Sequence, residues 1–306
     1  MVVTSQRLAS EAGAAMLRAG GNAMDAAVAV GYALAVVDPC CGNIGGGGFM
    51  TLRLADGRAV FLNFRETAPA AATADMFLDA QGNVVRGASL FGWRAVGVPG
   101  TVRGLDTALQ RYGTMTRAQV MAPAIRLARE GFVLGRGDTV LFARFAPLLR
   151  RDPAVAAVFL RPDGTPLQPG DRLVQPRLAD TLAAIAAGGA EAFYRGPIAA
   201  AVVAAARAGG GLLGEADLAG FAVTESAPLQ CGYRGYVFLS APPPSSGGVA
   251  LCEMLNILAG YDLRALGYHS AAAVHVMAEA MRRAFRDRNE DLGDPAFVQN
   301  PLDRLL

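Results

Sequence analysis

The sequence predicts one continuous α/β unit, residues 1–306. Three observations carry this. Stretches of helical period alternate with short apolar runs bounded by turn residues. Hydrophobic residues make up 53% of the chain, with mean hydropathy +0.31, which is ample material for a core. No internal repeat, low-complexity tract or long linker divides the chain.

Charge narrows the partners. With 28 basic and 26 acidic residues the net charge is +2, and every basic residue is Arg. That balance supplies no field for nucleic acid and no polybasic membrane signal, so neither is expected as a partner. The uncharged run 235–252 is interrupted by Pro242–Pro244 and Gly247-Gly248, so no membrane-spanning helix is expected. Arg7 and Glu11 break the N-terminal stretch before an apolar leader forms, so no signal peptide is read there.

The elements follow in order. Residues 6–19 read as a helix behind Ser5, with apolar Leu8, Ala12 and Met16, ended by Gly20-Gly21. Residues 23–37 read as a second helix, apolar nearly all round and therefore buried; Pro39 stops it. After "CCGNIGGGGFM" comes a hairpin, Phe49–Ala55 and Arg58–Phe64, turned by Asp56-Gly57, a pair that tolerates the positive φ of a type I′ turn. Helices are predicted over 100–112 and 116–130, closed by Gly113 and Gly131, and over 177–187, 190–208 and 215–220. "RPDGTPLQPGD" (161–171) is turn-rich. "GYRGYVFLSAPPP" (232–244) reads as one strand running into an extended proline segment. Residues 245–260 read as a capped helix and 271–288 as a final one.

Several motifs invite chemistry. The glycines at 45–48 are not a phosphate loop: no Lys-Ser/Thr follows, and the run opens a strand instead of a helix. They serve a positive φ, a close backbone approach, or a pocket lined by bare main-chain amides. Ser245 and Ser246 lack a GxSxG context, and the two histidines, His269 and His275, lie on or near the last helix, so helix capping is the better reading. Asp287, Glu290, Asp291 and Asp294 could hold a metal, but an i,i+4 pair such as Arg283–Asp287 on a solvated helix is the simpler account; no metal or cofactor is expected. The cysteines, 40, 41, 231 and 252, form no CxxC, the adjacent pair is poor geometry for a bridge, and two histidines cannot complete a zinc site. They read as structural or incidental thiols.

Arg65, in "FLNFRETAP", is a charge where an apolar strand ends. Either it pairs with a neighbouring acid such as Glu66, or it offers its guanidinium as a fork for a substrate carboxylate. The residues alone leave both open.

A set of collinear segments resembles the large-subunit region of bacterial γ-glutamyltransferases. Among them are "AGGNAMDAAVAVGYALAVVDP", "GNIGGGGFM", "NFRETAP", "GVPGTVRGLDTAL", "YRGYVFLSAPPPSSGGV" and "DRNEDLGDP", spread over nearly the whole length. The resemblance implies an N-terminal-nucleophile hydrolase with a four-layer αββα sandwich, incomplete without a small subunit. A precursor cleaves itself, and the new N-terminal Thr of the small subunit attacks the γ-glutamyl amide of glutathione or a related compound. The acyl group then passes to water, an amino acid or a peptide.

Arg65 matches the family's Arg-Glu-x-Ala-Pro arginine, which grips the substrate α-carboxylate. The resemblance places the nucleophile beyond Leu306, so no catalytic residue is expected within this chain; "MVVTSQ" falls inside the family's early region, so a first strand and any signal peptide are expected to lie ahead of it. Bacterial relatives are commonly periplasmic or secreted. The family's usual Asp before Phe-Arg is replaced here by Asn63. Rival readings are a cephalosporin- or glutaryl-acylase-like amidohydrolase, a non-catalytic remnant, and a Ser hydrolase using Ser246.

Overall fold

The computed structural model describes all residues, 1–306. In chain order the elements are α1 (Arg7–Arg18), α2 (Ala23–Val37), β1 (Phe49–Arg53), β2 (Ala59–Asn63), α3 (Thr101–Tyr112), α4 (Arg117–Glu130), β3 (Phe132–Val133), α5 (Arg136–Leu149), α6 (Pro153–Phe159) and β4 (Arg172–Leu173). There follow α7 (Pro176–Gly188), α8 (Glu191–Tyr194), α9 (Gly196–Ala208), α10 (Glu215–Gly220), β5 (Thr224–Ser226), β6 (Leu229–Tyr233), β7 (Tyr236–Ser240), α11 (Gly247–Ala259), α12 (Ala271–Asp291) and α13 (Leu302–Leu305). The fold is mixed helix and sheet. No helix is long and apolar enough to cross a membrane. Contacts divide the chain into two compact units, one of residues 1–48 and 64–223, the other of residues 49–63 and 224–306.

The first unit is built on α2. Its start is fixed by a capping box: the Asn22 side-chain Oδ1 accepts from the Met24 and Asp25 N–H groups, and the Asp25 carboxylate accepts from the Asn22 N–H. Val28, Ala29, Tyr32, Ala33 and Val36 are buried, and α1, α3 and α4 pack around them. Asp25 is itself fully buried and accepts from the Thr114 N–H and hydroxyl (2.9 and 2.7 Å) and from the Met115 N–H (2.9 Å). One carboxylate thus ties the start of α2 to the α3–α4 loop. Asp106 does the same for α3, α4 and α8, accepting from Arg117 Nε (2.6 Å), Gln110 Nε2 (2.9 Å) and the Ala190 N–H (3.2 Å).

In the second unit, β1, β2 and β5 form an antiparallel sheet in the order β1-β2-β5, with Thr51 opposite Phe61 and Phe61 opposite Ser226. The β6–β7 hairpin makes a separate two-stranded sheet on which α11 packs, and α11 packs in turn on α12.

The structure departs from these expectations at the second hairpin, at the prolines and at the cysteines. Residues 232–244 are not one strand: Arg234 and Gly235, both at positive φ (51° and 83°), turn the chain between β6 and β7. Beyond β7 the prolines are not fully extended, since the Ser245 N–H donates back to the Pro242 carbonyl (3.1 Å). Cys231 and Cys252, read as thiols, are joined in a disulfide with Cα atoms 5.9 Å apart, inside the range a bridge spans. The Cys40 and Cys41 sulfurs also lie paired side by side.

Candidate functional site

Arg65 is the residue after Phe64, and Phe64 explains why the chain stops there. Gly48 and Phe64 exchange both main-chain hydrogen bonds (3.2 and 3.0 Å). The Phe64 ring is buried, lying on Gly48 and on Gly104 of α3, where a side chain at 104 would occupy the same space as the ring. The next side chain, Arg65, is then directed outward and is mostly exposed, with its Nε 3.3 Å from Glu66 Oε2. The adjacent-acid pairing expected from sequence is therefore present. At that exposure such a pair is worth little by itself.

The glycines hold this segment from both sides. A Cβ on Gly47 would stand 2.5 Å from the Phe64 oxygen and 2.7 Å from the Glu66 nitrogen. The Gly46 carbonyl accepts from the Gly100 and Thr101 N–H groups (2.7 and 2.9 Å) at the start of α3, satisfying donors that a helix N-terminus leaves over. On the far side Val98 donates to the Thr67 carbonyl (2.8 Å), and a Cβ on Gly97 would meet Glu66 and Thr67 at 3.1 Å. None of Gly45–Gly48 has positive φ, and the run uses close approach, chiefly at Gly47. The sequence reading did not single out Gly97, Gly100 or Gly104. Gly104 alone left a trace, a glycine inside an amphipathic helix, which usually has a packing reason.

The other candidates separate. Ser245 Oγ accepts from the Gly247 N–H (3.3 Å) at the start of α11, while Ser246 Oγ accepts from Arg288 Nε (3.0 Å) and makes no cap. On α12 the ion pairs differ from the expected Arg283–Asp287: Arg282 and Arg283 lie 2.7 and 3.9 Å from Glu279, and Arg286 lies 3.2 Å from Glu290. Asp291 is held by Arg304 at 2.5 Å. Glu253 on α11 is buried and donates a hydrogen bond to Asp287. Burial, that hydrogen bond, and the charges of Asp287 and Asp291 push its carboxyl up to about 7.

The architecture is that of solved γ-glutamyltranspeptidases. The crystal structure of the Helicobacter pylori γ-glutamyltranspeptidase matches all of this chain and 87% of the chain compared, with a TM-score of 0.98 at 44% identity. The chain belongs to the gamma-glutamyltranspeptidase family, whose model matches residues 9–306. A glutathione hydrolase proenzyme of Pseudomonas sp. (strain A14) is 56% identical over all of the chain and 53% of its own length. An acylase ACY 1 proenzyme of Pseudomonas sp. (strain V22) is 46% identical over all of the chain and 56% of its own length. The chain thus spans about half the length of the curated relatives it matches.

Proposed function

We propose that residues 1–306 are the large-subunit portion of a γ-glutamyltransferase/glutathione hydrolase. In this reading Arg65 binds the α-carboxylate of a γ-glutamyl donor, and an N-terminal Thr of a small subunit attacks the γ-carbonyl. The amine leaves with a proton, and the acyl-enzyme ester passes the γ-glutamyl group to water or to the amine of an amino acid or peptide. The observation that carries the reading is Arg65 itself, an exposed guanidinium on main chain clamped between Gly47 and Gly97. A fixed fork is what carboxylate recognition requires.

Two features support the partner. The sheets of this chain hold only three, two and two strands, few for the two inner sheets of a four-layer αββα sandwich, which we propose the small subunit completes. On α12, Val274, Met281 and Phe285 share one face and are each about half exposed, an apolar stripe suited to burial against another chain. The 46% identical acylase favours one alternative, an amidohydrolase of the same architecture acting on a different acyl group.

Arg65→Ala tests the assignment. Loss of a charged bidentate contact of about 1.5–3 kcal/mol raises KM for γ-glutamyl-p-nitroanilide roughly 10- to 100-fold in the assembled enzyme. Arg65→Lys recovers only part, because an ammonium cannot make the fork. Unchanged kinetics in Arg65→Ala would remove the carboxylate role, and turnover of a cephalosporin or glutaryl amide in place of the γ-glutamyl substrate would select the acylase.

A further inference from the structure

We propose that Asp38, Cys40 and Cys41 form a binding site for one thiophilic divalent cation of the zinc type. Their donor atoms, one carboxylate oxygen and two sulfurs, lie within 4.8 Å of one another. A tetrahedral ion with bonds of about 2.3 Å to sulfur and about 2.0 Å to oxygen needs its donors roughly 3.5–3.8 Å apart. Side-chain rotation alone covers the difference. Two thiolates and a carboxylate select a borderline-soft ion over magnesium or calcium, which take oxygen ligands only. The fourth position is left to water.

The turn that carries the donors is fixed without a cation. It follows directly on α2, and the Asp38 carbonyl accepts from the Cys41 and Gly42 N–H groups (3.0 and 2.8 Å). A Cβ on Gly42 would stand 2.7 Å from the Leu34 main chain, so the turn is pressed against the last turn of the helix. Ser5, 33 positions earlier, donates its hydroxyl to Asp38 Oδ2 (2.6 Å). That leaves Oδ1 toward Cys40, whose Sγ lies 3.1 Å away and donates to it. The cation replaces this S–H proton. A carboxylate oriented through its second oxygen is the outer support that metal ligands ordinarily have. Beside the turn a cavity of about 200 Å³, lined by Ser5, Gln6, Asp38, Cys40, Asp138 and Phe142, gives room for the water ligand. All of these residues belong to the first unit, and the donors come from one run, 38–41, so the donor set needs no second chain.

The dithiol form is the one that binds. The Cα atoms of the cysteine pair are 3.8 Å apart, closer than the range of about 4.4–6.8 Å that bridges span, so the backbone suits two thiols better than a bridge. Each thiol gives up its proton as its sulfur bonds to the ion. One divalent cation enters and two protons leave, with no change of oxidation state.

Cadmium reports such a site through its ultraviolet thiolate-to-metal charge-transfer band. The full protein is reduced with a phosphine, desalted without oxygen and titrated with Cd²⁺. The wild type should show the band, and excess Zn²⁺ should displace it while the same excess of Ca²⁺ should not. Against the wild type, Cys40→Ser/Cys41→Ser should lose one equivalent of bound cadmium per chain, and Asp38→Asn should bind that equivalent at least 10-fold more weakly. The wild-type titration needs no variant to fold. No band in the wild type, displacement by Ca²⁺, identical titrations of wild type and Cys40→Ser/Cys41→Ser, or an unchanged affinity in Asp38→Asn would each overturn the proposal.

Discussion

Alanine at Gly47 separates a glycine needed for space from one that is merely present. The new Cβ would lie 2.5 Å from the Phe64 oxygen, 2.7 Å from the Glu66 nitrogen and 2.8 Å from Glu66 Oε2. Ordinary contact requires about 3.5 Å, so the two main-chain segments must part by roughly 1 Å. Neither can yield cheaply. Phe64 is held by its exchange with Gly48 and by its ring on Gly104, and the Gly46 carbonyl is engaged by the first N–H groups of α3. Overpacking of this kind costs about 1–3 kcal/mol, which lowers Tm by roughly 2–10 °C in a protein of this size. The displacement also moves Arg65, and misplacing a substrate-positioning group by about 1 Å costs on the order of 100-fold in kcat/KM.

The control is two residues away. At Gly45 a Cβ would come no closer than 3.6 Å, to Asn43 Oδ1, and φ lies outside the left-handed region. Gly45→Ala should therefore be neutral, or stabilising by about 0.4–1 kcal/mol through the unfolded chain. Gly46→Ala meets only the Asn43 side chain, which can rotate away, and should fall between them. Thermal unfolding and γ-glutamyl-p-nitroanilide kinetics on the three variants give the order 45, 46, 47. Equal Tm and equal kinetics for Gly45→Ala and Gly47→Ala would refute the close-approach reasoning.

Two further outcomes concern buried carboxyls. Burial raises the Asp25 carboxyl, but hydrogen bonds from the Thr114 hydroxyl and from the Met115, Asn22 and Thr114 N–H groups outweigh it and hold the group below its ordinary value. Its contribution is present above about pH 4 and lost as pH falls through the folded value. Asp25→Asn should cost about 2–4 kcal/mol at pH 7 and flatten the acid limb of a urea-stability profile; an unchanged acid limb would count against this role. Glu253 has the opposite sign: with its carboxyl pushed up to about 7, its contribution is complete at acid pH and lost as pH rises through about 7. Glu253→Gln keeps a donor toward Asp287 at every pH, so the variant should be more stable than the parent at pH 8 and no less stable at pH 5; the reverse order at pH 8 would sink the assignment.

What the sequence disclosed follows from which signals are local. The bounds of α2 were legible because an apolar run fills the stretch between Gly20-Gly21 and Pro39; the Asn22 cap that fixes its start came only with the structure. The place of the first hairpin was legible because Asp56-Gly57 marks its turn, but the turn is not the expected type I′, since Gly57 (φ +90°) is left-handed and Asp56 is not. The second was missed because Arg234 occupies a left-handed position with no local sign of it, so β6 and β7 merged into one strand. Helices α5 and α6 were passed over: α5 carries Pro147 and its charges interrupt the apolar period, and α6 is a single short segment behind Asp152. The disulfide was invisible because nothing in a 21-residue spacing distinguishes a bridge from two thiols.

The site divides along the same line. Arg65 could be picked out only as a charge in an odd place, and its expected role came from likeness to a family. What holds it is non-local. A glycine inside a helix costs about 1 kcal/mol relative to alanine, so Gly104 is locally unfavourable to α3. It is retained in the fold by a contact with Phe64, forty residues earlier in the chain, whose ring fills the space the missing side chain leaves. Burying an aromatic ring recovers about 1.5–3 kcal/mol, more than the helix loses. The penalty at Gly104 and the outward aim of Arg65 are therefore two ends of one arrangement: the ring goes into α3, and the next side chain, alternating along extended chain, goes to solvent.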